Sequence, residues 1–233
     1  MLSKTRFPHT IYPVRKPLAF TLRPQSLKEV IGQTHILSED SFLMKSVESK
    51  TPFSLIFFGP PGTGKTTIAE AYAREMKLHS ITLNAVTCNK KDLEAAVESA
   101  KVWNPTILIM DEVHRLDKTK QDYLLPYVES GVFYLIGATT ANPYIALSRA
   151  IRSRCKILEL HPLTNEDILV GLKRALTHKD GYGGKAMVSE DGLRYIAKLS
   201  GGDLRFALNI LQEVVVQFGI GQEISLEQIQ GVN

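Results

Sequence analysis

The stretch that decides the fold is "SLIFFGPPGTGKTT", residues 54–67. A mostly apolar run leads into a loop of glycine and proline that closes on a lysine and two threonines. Gly59, Gly64, Lys65 and Thr66 satisfy the spacing GxxxxGKT. Glycine lets backbone N–H groups turn inward around phosphate oxygens. The following "TTIAEAYAREM" (66–76) reads as a helix whose N-terminal dipole favours an anion. A lysine here reaches the outer phosphates, and a threonine hydroxyl suits Mg²⁺. Gly59, Pro60, Pro61, Gly62, Thr63, Gly64, Lys65, Thr66 and Thr67 are therefore the expected phosphate contacts. The full motif between a strand and a helix is a strong signal for a nucleoside triphosphate, and it does not separate ATP from GTP.

Outward from this loop, short apolar runs alternate with helical patterns. "SLIFF" (54–58), "ITL" (81–83), "TILIM" (106–110), "FYLIGA" (133–138) and "KILEL" (156–160) read as strands. Several are apolar on both faces, as strands buried in a parallel sheet are. Helices are expected after Lys65, over 90–101 and over about 118–129. The alternation predicts an α/β fold: a five-stranded parallel sheet flanked by helices. After Leu160 the strands stop. "TNEDILVGLKRAL", "SEDGLRYIAKL" and "GDLRFALNILQEVVVQF" are amphipathic helical patterns, with Ser189 and Asp191 where caps are expected. The predicted organisation is an arm (1–17), a nucleotide-binding domain (18–162) and a small all-helical lid (163–233).

Composition narrows the function classes. The chain has 233 residues, 44% hydrophobic and 22% charged, which fits a folded globular protein. No apolar run approaches ~18 residues, and the N-terminus lacks a secretory core, so a cytoplasmic protein with no membrane span is expected. In a bacterium it would be associated with the nucleoid. Cys88 and Cys155 lack metal-ligand spacing and read as reduced thiols. Lys4, Arg6, Arg15, Lys16, Arg23 and Lys28 precede the first acidic residue, Glu29. Such an arm either contacts phosphates or is a solvated tail.

Two further stretches carry chemistry. In "TILIMDEVHR" (106–115) an apolar strand ends at Asp111 and Glu112, at the ligand edge of a parallel sheet. Asp111 would hold Mg²⁺ through water, and Glu112 would orient or deprotonate the attacking water. The pair could instead cap the next helix. His114 receives no role. "LIGATTANPYIALSRAIRSRCKIL" (135–158) carries Arg149, Arg152, Arg154 and Lys156 without one Asp or Glu. Thr140, then Asn142, are the residues expected to touch a γ-phosphate or its water, although Asn142–Pro143 also fits a helix cap. On one helix from Pro143, Leu147 and Ile151 would face inward. Arg149 and Arg152 would share another face, to be an interface, a DNA-facing surface or a solvated basic face.

These motifs in this order resemble the AAA+ ATPases. "PLAFTLRPQSLKEVIGQTHIL" (17–37), "LNAVTCNKKDLEAAVE" (83–98), "DEVHRLDKTKQDYLLPYVESG" (111–131) and "LIGATTANP" (135–143) resemble the family of replication-associated recombination protein A and the Werner-helicase-interacting ATPase. The resemblance covers about residues 17–217; clamp loaders and the Holliday-junction motor are cousins. It implies ATP as the nucleotide, with Leu22, Arg23, Pro24, Val30 and Ile31 around the adenine. "SRC" (153–155) matches the pattern whose arginine enters a neighbouring subunit's site, which makes Arg154 a finger acting in trans. "GDLRFALN" (202–209) resembles the lid helix from which Arg205 would reach the γ-phosphate of its own subunit; the second arginine usual there is Phe206. The family continues into a C-terminal domain that forms tetramers. This chain reads as a fragment or as lacking that module, so the homo-oligomer expected from the family is left open.

The implied function is an ATPase acting on DNA ends or single-strand/double-strand junctions in fork maintenance, recombination and repair. Single-strand-binding protein or another replication protein is the expected protein partner. The alternative is a nucleotide-gated binding module, or a clamp-loader-like or branch-migration-like subunit, with slow turnover. "VTCNKK" (86–91) lacks an aromatic pore loop, so threading of a protein substrate is not expected.

Overall fold

A computed structural model describes residues 16–231. Of the expected basic arm, Lys4, Arg6 and Arg15 lie outside the described residues. The described residues begin with α1 (Leu18–Thr21), α2 (Thr34–Leu37), α3 (Phe42–Glu48), β1 (Leu55–Phe58), α4 (Lys65–Met76) and β2 (His79–Asn84). It continues with α5 (Lys90–Val102), β3 (Thr106–Asp111), α6 (Lys118–Glu129), β4 (Phe133–Thr139), α7 (Pro143–Ala146), α8 (Arg149–Arg152) and β5 (Lys156–Glu159). The last part holds α9 (Asn165–Thr177), β6 (Met187–Val188), α10 (Glu190–Leu199), α11 (Leu204–Phe218), β7 (Glu223–Ile224) and α12 (Leu226–Gln230).

The first five strands form one parallel sheet in the order β2-β3-β4-β1-β5. Its central strands are apolar through their middles because both faces are covered, and polar residues appear only at their ends. Leu55, Phe57, Ile107 and Ile109 pack with α4 and with Leu43 and Val47 of α3. Ile56, Leu108, Met110 and Leu135 pack on the other face with Leu93 and Val97 of α5 and Leu124 of α6. β2 lies at a sheet edge, with no residue fully buried and its ends polar. That is why only its middle carries a strand pattern in the sequence.

The order 2-3-4-1-5 sets β1 between β4 and β5, although β2 and β3 come between β1 and β4 in sequence. The C-terminal ends of β1, β3 and β4 therefore lie together: the phosphate-type loop after Phe58, Asp111–Glu112, and Thr139–Thr140. This is the edge at which an open parallel sheet binds ligands.

The lid core is formed by α9, α10 and α11. Leu18 and Leu22 are buried in this same core, and the amide of Leu18 donates to Gln212 Oε1 at 3.1 Å. The assignment of residues 18–22 to the nucleotide-binding domain thus needs a correction. The segment expected at the start of the nucleotide-binding domain packs against the lid, because its leucines find their apolar partners on α9 and α11. A second correction concerns strands after Leu160. β6 and β7 form a two-residue parallel pair, too short to show alternation in sequence. Ser189 caps α10 by accepting from Gly192 N at 3.2 Å, whereas Asp191 lies within its first turn.

The single helix expected from Pro143 is two single-turn helices. Leu147 is extended, and Ser148 restarts the chain as the cap of α8. The break is held by the buried side chain of Gln121, whose Oε1 accepts from Ser148 N at 2.8 Å. Leu147 and Ile151 still face inward, both nearly inaccessible.

Candidate functional site

One cleft lies between the sheet edge and the lid. Pro61 to Thr67, the floor, line it with Asp111, Glu112 and Thr140 from the sheet edge, and Leu204, Arg205 and Leu208 of α11 line it from the lid. Leu22, Arg23, Pro24, Val30 and Ile31 close the end away from the carboxylates, with Gly171 of α9.

The floor requires its glycines. Gly62 has φ +70°, and a Cβ there would come 1.9 Å from Asp203 Oδ1. Gly59 has φ +153°, and a Cβ would meet the Leu160 carbonyl oxygen at 2.3 Å. Side chains are excluded on both counts. Gly64 then starts α4 from a left-handed cap, so the first amides of a 12-residue helix lie at the cleft. Lys65 Nζ donates to the carbonyls of Gly59 at 2.8 Å and Pro60 at 2.6 Å. Burial pushes its ammonium below the ordinary lysine value, and Glu112 and Asp111 offset part of that effect.

The chemistry of the donor set fits a phosphate chain with a hard cation. Thr66 Oγ1 donates to Asp111 Oδ1 at 3.3 Å, which brings two oxygen ligands together at the helix N-terminus. Among the described residues no group of three or more His, Cys, Asp and Glu is arranged for a metal. A cation there would rely on phosphate oxygens and water, as Mg²⁺ at a nucleotide does. Glu112 sits in the left-handed region at φ 51°, between β3 and a 3-10 turn at Val113–Arg115. A left-handed conformation is uncommon for a residue with a Cβ. It turns the chain sharply and presents Glu112 to the cleft beside Asp111.

The segment 22–31 is anchored from both sides. Arg23 pairs with Glu70 of α4 at 2.5 Å, and Arg74 donates to the carbonyls of Pro24 and Gln25. From the lid, Arg174 pairs with Glu29 at 3.0 Å. Ile31 lies beside Gly171, and with Leu22, Val30, Leu204 and Leu208 it gives this part of the cleft an apolar lining suited to a flat ring.

Comparison with known proteins agrees with this geometry. Residues 55–163 match the family described as "ATPase family associated with various cellular activities (AAA)". The fold is similar to the Thermotoga maritima RuvB Holliday junction branch migration motor, with a TM-score of 0.76 and 29% identity. That match covers 91% of this chain and 72% of that one. In sequence the chain is 49% identical over 203 residues to replication-associated recombination protein A of Bacillus subtilis, covering 86% of this chain and 48% of the relative. It is 37% identical over 204 residues to ATPase WRNIP1 of Dictyostelium discoideum, covering 85% of this chain and 23% of that protein. Residues 55–163 form an AAA ATPase domain. The chain spans about half the length of the bacterial relative and less of the other.

For an AAA ATPase, the cleft collects most of the expected residues. Gly59 and Pro60 lie behind Lys65 and act through their carbonyls rather than by lining the cleft. Asn142 does not line it either. Its Oδ1 accepts from Tyr144 N at 2.9 Å, so Asn142 is the cap of α7. Arg154 is away from the cleft and exposed, and the anion absent from its own stretch of sequence comes from elsewhere in the chain. Arg154 Nη2 pairs with Glu129 at the end of α6, a carboxylate remote in sequence. Its Nη1 also donates to Ser153 Oγ at 2.7 Å. Arg152 donates to the Leu147 carbonyl at 3.2 Å and lies over the Tyr144 ring at 5.5 Å.

Sequence reasoning missed Arg174, Gly171, Leu204 and Leu208 as cleft residues. The apolar ones look like ordinary lid core in a helical pattern. It also left His114 without a role, although His114 touches both Glu112 and Thr139. Cys155 has its thiol pushed up to about 12 by burial, in keeping with an unreactive free cysteine.

Proposed function

We propose that this AAA ATPase domain binds ATP with Mg²⁺ and couples its hydrolysis to remodelling DNA ends, junctions or protein–DNA complexes in replication-fork maintenance, recombination and repair. The observation that carries the reading is the cleft. Residues from the loop after β1, the ends of β3 and β4, the 22–31 segment and the lid helix α11 line one cavity. Lys65 binds the outer phosphates, and Thr66 with Asp111 hold Mg²⁺, Asp111 through water. Glu112 orients or deprotonates the attacking water, and Thr140 contacts the γ-phosphate or that water. Arg205 reaches the γ-phosphate from the lid, and the apolar end of the cleft takes the adenine. Arg154 acts on the ATP of a neighbouring copy in a homo-oligomer. The names of the relatives, a recombination protein and a branch migration motor, support DNA as the macromolecular substrate. Single-strand-binding protein or another replication protein is the proposed partner. Among the described residues no helix is long and apolar enough to cross a membrane, and a cytoplasmic, nucleoid-associated site suits this reading.

The test is hydrolysis with and without DNA. Duplexes carrying single-strand/double-strand junctions or free ends raise kcat; a rate indifferent to every DNA structure overturns the reading. The Arg154–Glu129 pair favours a second reading, a nucleotide-gated binding module with slow turnover until a neighbour engages the arginine. Nucleotide-dependent affinity for a partner, with no DNA stimulation of turnover, would select it.

A further inference from the structure

Glu112 is not alone at the end of β3. The imidazole of His114, two residues on, comes 3.4 Å from Glu112 Oε2 and 2.9 Å from Thr139 Oγ1, both through Nδ1. Thr139 is fully buried at the end of β4, next to Thr140 in the cleft. Its hydroxyl also faces Ala141, accepting from Ala141 N at 3.0 Å and donating to Ala141 O at 3.2 Å.

The carboxylate is what selects the tautomer. A hydroxyl has one hydrogen, and with Nδ1 protonated Thr139 gives it to the Ala141 carbonyl at 3.2 Å. Its oxygen then accepts from Ala141 N and from the ring. A carboxylate is an acceptor only, so a bare Nδ1 lone pair facing Glu112 would be repelled. A proton on Nδ1 suits both neighbours: Thr139 Oγ1 at 2.9 Å accepts it, and the Glu112 carboxylate at 3.4 Å is drawn to it. The shorter contact is to Thr139, which locks the ring; the longer one is to Glu112, whose side chain remains about a third exposed at 37%.

We propose that His114 is the positioning residue of Glu112: Thr139 fixes the imidazole, and its Nδ1–H holds the Glu112 carboxylate in the orientation from which it meets the attacking water. The γ-phosphate side of β4 and the general base are thereby joined through one ring, by the path Thr140, Thr139, His114, Glu112. The inference rests on the assignment of Glu112 as the base.

The experiment uses the full chain. In nitrogen-resolved NMR of the nucleotide-free protein, His114 Nδ1 is protonated; an unprotonated Nδ1 overturns the proposal. His114→Leu lowers kcat by about ten- to a hundredfold, with KM and the Kd of a fluorescent ATP analogue within about twofold. His114→Asn keeps a donor near the Nδ1 position and stays within about threefold of the parent, whereas His114→Gln, whose amide lies farther out, behaves like Leu. Rescue by Gln equal to that by Asn, or an undiminished kcat in His114→Leu, overturns the proposal. Glu112→Gln separates the two levels. If it hydrolyses ATP like the parent, the base assignment itself fails. If it is inactive, His114→Leu adds no further loss to the residual rate, and a further tenfold loss in that background would show that His114 acts elsewhere.

Discussion

Lys65 and Arg154 are both cations proposed here to meet phosphate, and the chain treats them oppositely. Lys65 is buried, donates to two carbonyls of its own loop and lies within reach of Asp111 and Glu112. Arg154 is exposed on a turn after α8 and is occupied by Glu129. One cation has its site completed within the chain; the other is held on the surface by a carboxylate it can exchange. A buried ammonium must be partnered at all times. An exposed guanidinium pair contributes little and is easily given up.

The largest effect should come from removing the internal cation. Lys65→Ala is expected to lower kcat/KM for ATP by about a thousandfold or more, measured by phosphate release, since it removes a contact present in both ground and transition states. Next is Arg154→Ala, expected to lower kcat by about 10²- to 10³-fold while ATP-analogue affinity stays the same. Mixing the two variants sharpens the contrast. If Arg154 acts in trans, the mixture regains activity, because some interfaces pair an intact cleft with an intact arginine. No recovery in a confirmed oligomer breaks the assignment.

Gly62→Ala tests how the cradle of Lys65 is built. Its φ of +70° and the contact with Asp203 imply strain at both the loop and the start of α11. Nucleotide affinity should fall about tenfold, and unfolding free energy by about 1–3 kcal/mol in a denaturant titration. Glu129→Gln is the smallest. Stability should change by less than about 1 kcal/mol because both partners are exposed. With the carboxylate gone, kcat in the assembled protein should rise about two- to threefold. A fall in kcat would mean that Glu129 aims the arginine instead of holding it back.

The five strands of the main sheet and the helices α4, α5 and α6 were legible because each has a strong period and a clear edge. The motif at 59–66 and the carboxylates at 111–112 were legible for the same local reason: spacing along one strand–turn–helix unit. The split of α7 from α8 was not, since it depends on Gln121 reaching Ser148 across 27 positions of sequence. The packing of Leu18 and Leu22 on the lid was hidden in the same way. An apolar residue declares that it will be buried, not where.

By itself the sequence determined a nucleotide-binding α/β fold with a helical lid, since backbone N–H direction, helix dipole and hydrophobic period are local properties. The tertiary structure alone decided which carboxylate meets Arg154, which ring lies beside Glu112 and which lid residues line the cleft. Those pairings join residues far apart in the chain, or neighbours turned toward each other by a left-handed Glu112. Contact in three dimensions, not spacing in one, sets their chemistry.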